Sequence, residues 1–149
     1  MRYTLTAIAA GALALSMLGG AQAAEVEVKM LNHGTNGAFV FEPDLVRIQP
    51  GDSVHFVAAD KGHDAQSIDG MMPDGAKPFA GKISQDVTVK FDVPGFYGVK
   101  CKPHYAMGMV ALVVVGKPTN LAAAEAVKNP GKAKSVFKEL FKKYAASAN

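Results

Sequence analysis

The chain has 149 residues, of which 49% are hydrophobic and 19% charged, with a formal net charge of +3 and one cysteine. This length suits one ordinary domain rather than two, and a single cysteine excludes any disulfide within the chain. Residues 117–149 hold seven Lys and two Glu. This basic tail lacks the aromatic interleaving and motifs of nucleic-acid-binding proteins, so a nucleic-acid partner is not expected.

The first 23 residues have the pattern of a secretory signal peptide. Arg2 precedes an apolar run over residues 5–18, and small residues follow at Ala21 and Ala23. The apolar run is shorter than the roughly 20 residues that a membrane-spanning helix needs. We therefore expect cleavage after Ala23, which would leave a 126-residue protein, exported to the periplasm and without a membrane anchor.

Residues 25–115 read as short strands separated by turns. Alternating apolar residues predict strands near residues 26–30, 54–57 and 87–91, and Pro50 with Gly51 marks a tight turn. The apolar run at 110–115 is typical of a central strand covered on both faces. Residues 58–84 are less regular. Seven or eight strands at this spacing predict an antiparallel β-sandwich or barrel.

The pattern changes to a helical period after residue 117. Asn120 is a suitable cap for a helix over residues 121–128. Asn129 and Pro130 predict the start of a second helix, whose apolar residues recur at helical spacing through Tyr144. We expect residues 118–149 to form a two-helix extension packed against the sandwich, within one domain over residues 24–149.

The only cysteine lies near other residues of the types that commonly bind metals. Cys101, His104 and Met109 follow the pattern C-x2-H-x4-M between two predicted strands, and His63 in an earlier segment offers a second imidazole. Two histidines, one cysteine and a weak axial methionine are the ligand set of a blue-copper electron-transfer site. An exported protein rarely keeps a free thiol, and copper would protect this one.

Three other readings of these residues remain open at this point. Cys101 could be an inert buried residue, with Met109 as core filler. The cluster could also be a structural zinc site, although such sites prefer several Cys or His ligands and rarely use methionine. A Cys101–His104 nucleophile would make the protein an enzyme. Because no oxyanion hole or substrate pocket is evident in the sequence, we expect a protein that is not an enzyme.

Several short motifs make the mature chain similar to the cupredoxins, and among them to the pseudoazurins. The motifs run along most of its length: Met30-Leu-Asn32, Phe41-Glu-Pro43, Pro50-Gly-Asp52, Asp60-Lys-Gly-His63, Val99-Lys-Cys101, Pro103-His-Tyr105 and Met107-Gly-Met109. The helical tail separates the chain from the plastocyanins, which end near the last strand. The resemblance implies a Greek-key β-sandwich of seven to eight strands with two C-terminal helices.

The resemblance also implies a function and a set of site residues. One type 1 copper ion would be bound by His63 Nδ1, Cys101 Sγ and His104 Nδ1, with Met109 Sδ as the long axial ligand. The protein would be a monomeric one-electron carrier for redox partners such as nitrite reductase, c-type cytochromes or dehydrogenases. Partners would dock on an apolar patch around His104 that is ringed by lysines: Lys61, Lys77, Lys100, Lys102 and Lys132. A copper-delivery or storage protein is the alternative.

Asp64 departs from the family pattern, in which Asn usually follows the histidine ligand. An ionised carboxylate cannot donate the hydrogen bonds of an amide, although its backbone N–H could still point at Cys101. Negative charge beside the copper would favour Cu(II). We therefore hypothesise that Asp64 lowers the reduction potential or makes it depend on pH.

Overall fold

The computed structural model describes residues 22–148, and its strands form two four-stranded sheets packed face to face. The predicted signal segment thus lies almost entirely outside the described residues. The strands are β1 (Glu25–Gly34), β2 (Gly37–Glu42), β3 (Leu45–Ile48), β4 (Ser53–Val57), β5 (Gln66–Ser67), β6 (Val87–Lys90), β7 (Gly95–Lys100) and β8 (Val110–Val115). The helices are α1 (Leu121–Ala126) and α2 (Ala133–Ser147). Neither helix is long and apolar enough to cross a membrane.

The sheets have the strand orders β2-β1-β4-β6 and β3-β8-β7-β5. This arrangement confirms the predicted sandwich of eight strands with two C-terminal helices. Purely antiparallel pairing was the wrong expectation, because β1 pairs parallel with β4, and β3 with β8. After β2 the chain repeatedly crosses between the sheets. A strand that returns to its sheet by such a crossover can lie parallel to its neighbour, as a hairpin never allows.

Two hydrophobic cores lie on opposite faces of the second sheet. Between the sheets, alternate residues of the strands are buried, among them Val28, Phe56 and Val113. On the other face, Leu112 and Val114 pack with residues of the helices. Every residue of β8 is therefore buried, which confirms the predicted doubly covered central strand.

Helix α2 covers the second sheet with an apolar stripe. Phe137, Leu140 and Phe141 are buried in the second core, while the lysines of α2 face outward. Phe96 of β7 meets the Phe141 ring edge-on, with ring centroids 5.5 Å apart. The predicted packing of the amphipathic helix on its own domain is confirmed.

The first helix begins at the predicted Leu121 but ends at Ala126, before the predicted residue 128, and the second begins later than the pattern predicted. Asn120 stands at the start of α1, but its side chain accepts a hydrogen bond from Phe96 N and donates one to Phe96 O instead of capping the helix. The second helix begins at Ala133 and not at Pro130. Gly131 has a positive φ of 52°, which interrupts helical geometry after the proline.

Candidate metal centre

The turn-rich loop between β7 and β8 carries three of the four predicted ligands. Lys100 and Val110 face each other in the register of this strand pair, so the loop leaves the sheet and returns to it at neighbouring positions. Cys101 N donates a hydrogen bond to Met109 O at 3.0 Å, which closes the base of the loop. His63 reaches the same end of the sandwich from the irregular segment between β4 and β5.

The structure brings the donor atoms of His63, Cys101 and His104 to one point. The two Nδ1 atoms are 3.1 Å apart, and Cys101 Sγ lies 3.7 Å from His63 Nδ1 and 3.5 Å from His104 Nδ1. Met109 is fully buried, and its backbone N donates to His104 O. The residues predicted from the sequence are therefore neighbours in the fold.

The spacing and chemistry of these donors fit a single soft or borderline metal ion. An ion with bonds of about 2.0–2.3 Å to nitrogen and sulfur in a trigonal plane separates its donors by roughly 3.5–4.0 Å. The two distances from sulfur lie in this range, and the distance between the imidazoles is slightly shorter. Imidazole nitrogen with thiolate and thioether sulfur is a donor set that suits copper in both oxidation states.

Asn32 fixes the orientation of His63, a role that the sequence alone did not reveal. Its side-chain oxygen lies 2.9 Å from His63 Nε2. Because an amide oxygen only accepts, Nε2 carries the proton and the lone pair of Nδ1 faces the site. Asn32 lies on β1, 31 residues before the histidine, so no local pattern indicates the pairing.

Burial disfavours charge on both His63 and Cys101 when they are without a metal. Removal from water lowers the pKa of the His63 imidazole, and the nearby His104 lowers it further. Burial likewise raises the pKa of the Cys101 thiol, an effect opposed by backbone N–H groups of Asp64 and His104. A metal cation compensates a buried thiolate and binds neutral imidazole, so both shifts suit a metal centre.

Asp64 ties together the two segments that carry the predicted ligands. One carboxylate oxygen accepts from Lys102 N at 2.6 Å, and the other accepts from Gln66 Nε2 at 2.7 Å. The side chain is buried, with 2% of the residue exposed. The carboxylate thus joins the loops as an acceptor and needs no amide donor.

Phe39 packs against His104, the predicted ligand nearest the surface. The two rings are stacked, with centroids 4.3 Å apart and planes 8° apart. Phe39 adopts a positive φ of 54°, a conformation that is unfavourable for a residue with a side chain. His104 is only partly buried, and beside it Met107 is 50% exposed. The site is thus closed on the His63 side and reaches the surface at His104.

Comparisons with known proteins agree with this geometry. The profile of the copper-binding plastocyanin/azurin family matches residues 28–116. The pseudoazurin of Methylorubrum extorquens is 53% identical over 126 residues, which cover 84% of this chain and 85% of the relative. The pseudoazurin of Paracoccus pantotrophus is 49% identical over 133 residues, covering 89% and 90%.

A solved structure shows the same similarity in three dimensions. The crystal structure of pseudoazurin from Methylobacterium extorquens AM1 superposes with a TM-score of 0.78 and 51% identity, covering 80% of this chain and 98% of that one. The sequence and structural similarities extend over both the sandwich and the helices. One type 1 copper ion is the cofactor that they imply. The chain belongs to the plastocyanin/azurin family of copper-binding proteins and, within it, to the pseudoazurins, which are type 1 copper electron carriers.

Proposed function

We propose that His63, Cys101, His104 and Met109 hold the copper and that the protein carries single electrons without acting as an enzyme. The observation that supports this proposal most directly is the convergence of two imidazole nitrogens and one thiol sulfur within 4.8 Å of one another. Copper bound by such a set changes between Cu(I) and Cu(II) by one electron. This chemistry needs no bound substrate.

The protein's own residues would keep the ligands in nearly one geometry during this change. Cys101 emerges from a strand whose residues 95–99 are all buried, and His63 is held by Asn32. Asp64 joins the His63 segment to the loop between β7 and β8 through Lys102 N. Ligands supported in this way move little when the charge of the site changes, so the barrier to electron transfer stays low.

We propose that electrons pass through the exposed edge of His104 to redox proteins docked around it. The surface there includes Met107, and Lys132 lies beside Gly108 at its margin. Lysines around an apolar patch attract acidic partners and accelerate encounter, while a small interface permits rapid release. Nitrite reductase, a c-type cytochrome or a dehydrogenase would suit this surface, and a monomer would suit a carrier that dissociates quickly.

We also propose that residues 1–23 are removed on export to the periplasm. Ala24 N lies 2.7 Å from Asp52 Oδ1, and Ala24 O accepts a hydrogen bond from Ser53 N. Cleavage after Ala23 would turn this nitrogen into a charged terminus and the bond into a charge-assisted one. The mass of the protein recovered from the periplasm tests the cleavage position directly.

Addition of Cu(II) to the metal-free protein tests the proposed centre. We expect an intense blue thiolate-to-copper absorption that a reductant bleaches reversibly, and its loss in Cys101→Ser. Met109→Leu should shift the reduction potential, since the axial ligand tunes it. The exposed Met107→Leu is the matched control and should not. A colourless complex, or rapid transfer of copper to an acceptor chelator, would favour delivery or storage.

A further inference from the structure

The copper ligands of the last loop depend on how that loop is held at its outer end. We define the ligand loop as residues 101–109, between β7 and β8. Its base is closed by the hydrogen bond from Cys101 N to Met109 O, and the backbone bonds within it include those from Met107 N and Met109 N to His104 O and from Gly108 N to Tyr105 O. These bonds join backbone groups at the base or within the loop, and Lys102 N is bonded to Asp64 near Cys101, so contacts further out in the loop would add a separate restraint on its outer end.

The connector between the helices, residues 127–132, supplies such contacts. Tyr105 Oη donates a hydrogen bond to Asn129 Oδ1 at 2.6 Å. Lys132 N donates another to Ala106 O at 2.9 Å. Two neighbouring residues of the ligand loop are thereby tied to the connector, one through its side chain and one through its backbone.

The conformation of the connector allows it to lie close to the ligand loop. Asn129 Nδ2 donates to Val127 O at 3.2 Å, which orients the side-chain oxygen towards Tyr105. Gly131, in its positive-φ conformation, lies so close to the Ala106 carbonyl that a Cβ atom there would overlap the oxygen. The close contact therefore requires glycine at this position.

Tyr105 directly follows His104, so movement of one carries the other. The Tyr105 ring is partly buried against the second core, and Lys100 Nζ lies 5.2 Å from its centroid. The ring thus extends from His104 into the layer that α1 and α2 form. A displacement of the connector would therefore move Tyr105 and, with it, the adjacent His104. His63 would not move with them, because it is held separately by Asn32.

We propose that the connector is a clamp on the ligand loop, in which Asn129 positions His104 through Tyr105. This inference rests on the proposed role of His104 as a ligand, and it gives the C-terminal helices a part in the metal centre. Tyr105 and Asn129 act here as positioning residues that do not bind the metal.

Tyr105→Phe tests the clamp, with Tyr144→Phe on α2 as the matched control. In the metal-free protein we expect the amides of Met107 and Gly108 to exchange roughly two- to tenfold faster in Tyr105→Phe, the factor associated with one lost hydrogen bond. In the copper-loaded protein, loss of copper to a chelator should accelerate by a similar factor, with a change in the copper electron paramagnetic resonance spectrum. Tyr144→Phe should leave all three measurements unchanged.

Asn129→Ala, alone and combined with Tyr105→Phe in a double variant, separates the clamp from a general loss of stability. If the two residues act through one hydrogen bond, the double variant should show no more loop exchange than either single variant. Gly131→Ala should produce the same changes by displacing the connector.

Unchanged exchange and copper release in Tyr105→Phe, or additive effects in the double variant, would overturn the clamp. A wild-type protein without the blue absorption would overturn the proposed function instead. In that case amide exchange in the metal-free protein still decides whether the connector holds the loop.

Discussion

At the scale of single residues, Asp64 affects both the charge and the geometry of the proposed metal centre. It accepts hydrogen bonds from Lys102 N and Gln66 Nε2, and its own backbone N–H opposes the burial-induced rise in the pKa of Cys101. An Asn at this position would keep one acceptor oxygen for Lys102 N. The substitution therefore changes the charge with little change of shape.

We expect Asp64→Asn to raise the reduction potential by tens of millivolts. A unit charge several ångströms from the site, at an effective dielectric constant of about 20, contributes on the order of 1 kcal/mol or more, and a negative charge favours Cu(II). Voltammetry from mildly acidic to neutral pH measures the shift and any dependence on pH. Asp92→Asn, at the opposite end of β7 from Cys101, is the control. An unchanged potential at every pH would contradict the hypothesis.

Asp52 makes a second residue-level prediction, concerning acid stability. Hydrogen bonds from Gln49 N and Ala24 N hold the pKa of this partly exposed carboxyl below its ordinary value of 3.8. A carboxyl whose pKa is lowered in the folded state stabilises the fold fully at pH values above its ordinary pKa. This contribution is lost as the pH falls from the ordinary pKa through the lowered pKa of the folded state.

Urea unfolding of Asp52→Asn at neutral pH and at pH about 3 measures this contribution. The variant should be less stable than the wild type at neutral pH, and the difference should shrink in acid. The exposed Asp69→Asn serves as control. A difference that stays constant with pH would mean that Asp52 acts through packing and not through its charge.

At the scale of elements, α2 stabilises the fold through its apolar stripe. Phe137 is 2% exposed and packs in the second core with Phe141, at a centroid distance of 6.4 Å. Replacing a buried Phe by Ala removes apolar contacts and leaves a cavity. We expect Phe137→Ala to lower the free energy of unfolding by about 3–5 kcal/mol.

Chemical denaturation measures this loss, and the adjacent Lys138→Ala is the matched control. Lys138 is exposed on the same helix, so its replacement should change stability by no more than about 0.5 kcal/mol. A small effect of Phe137→Ala would show that α2 docks only loosely on the sheet.

The elements also show where sequence patterns predict well and where they do not. Alternation placed β1, β4 and β6, in which inward-facing and outward-facing residues alternate, and the all-apolar β8 was recognised because it is buried on both faces. The predicted start of α2 was wrong, because Gly131 makes the close contact with Ala106 instead of forming helix. Asn120 likewise bonds to Phe96, a partner 24 residues away, which local capping rules do not consider.

At the scale of the whole molecule, metal binding and folding are coupled. The donor atoms come from segments 38 or more residues apart, His63 on one side and the ligand loop on the other, so the site exists only in the folded chain. A ligand that binds only the folded state adds about 2.7 kcal/mol at a free concentration of 100 times its dissociation constant.

We therefore expect copper to raise the melting temperature by on the order of 10 °C at such a concentration. Thermal unfolding followed by circular dichroism, with and without Cu(I), gives the shift. Cys101→Ser should lose most of it, because the thiolate is gone. An equal shift in that variant would indicate copper bound elsewhere on the chain.

The sequence by itself determined the class of fold, the copper chemistry and the candidate ligands. These properties follow from local patterns: alternation along a strand, helical periodicity, and the short spacing from Cys101 to Met109. Only the tertiary structure decided the parallel pairs, the support of His63 by Asn32, the stacking of Phe39 and the contact of Tyr105 with Asn129. Each of these depends on residues far apart in sequence, which meet only when the two sheets and the helices pack together.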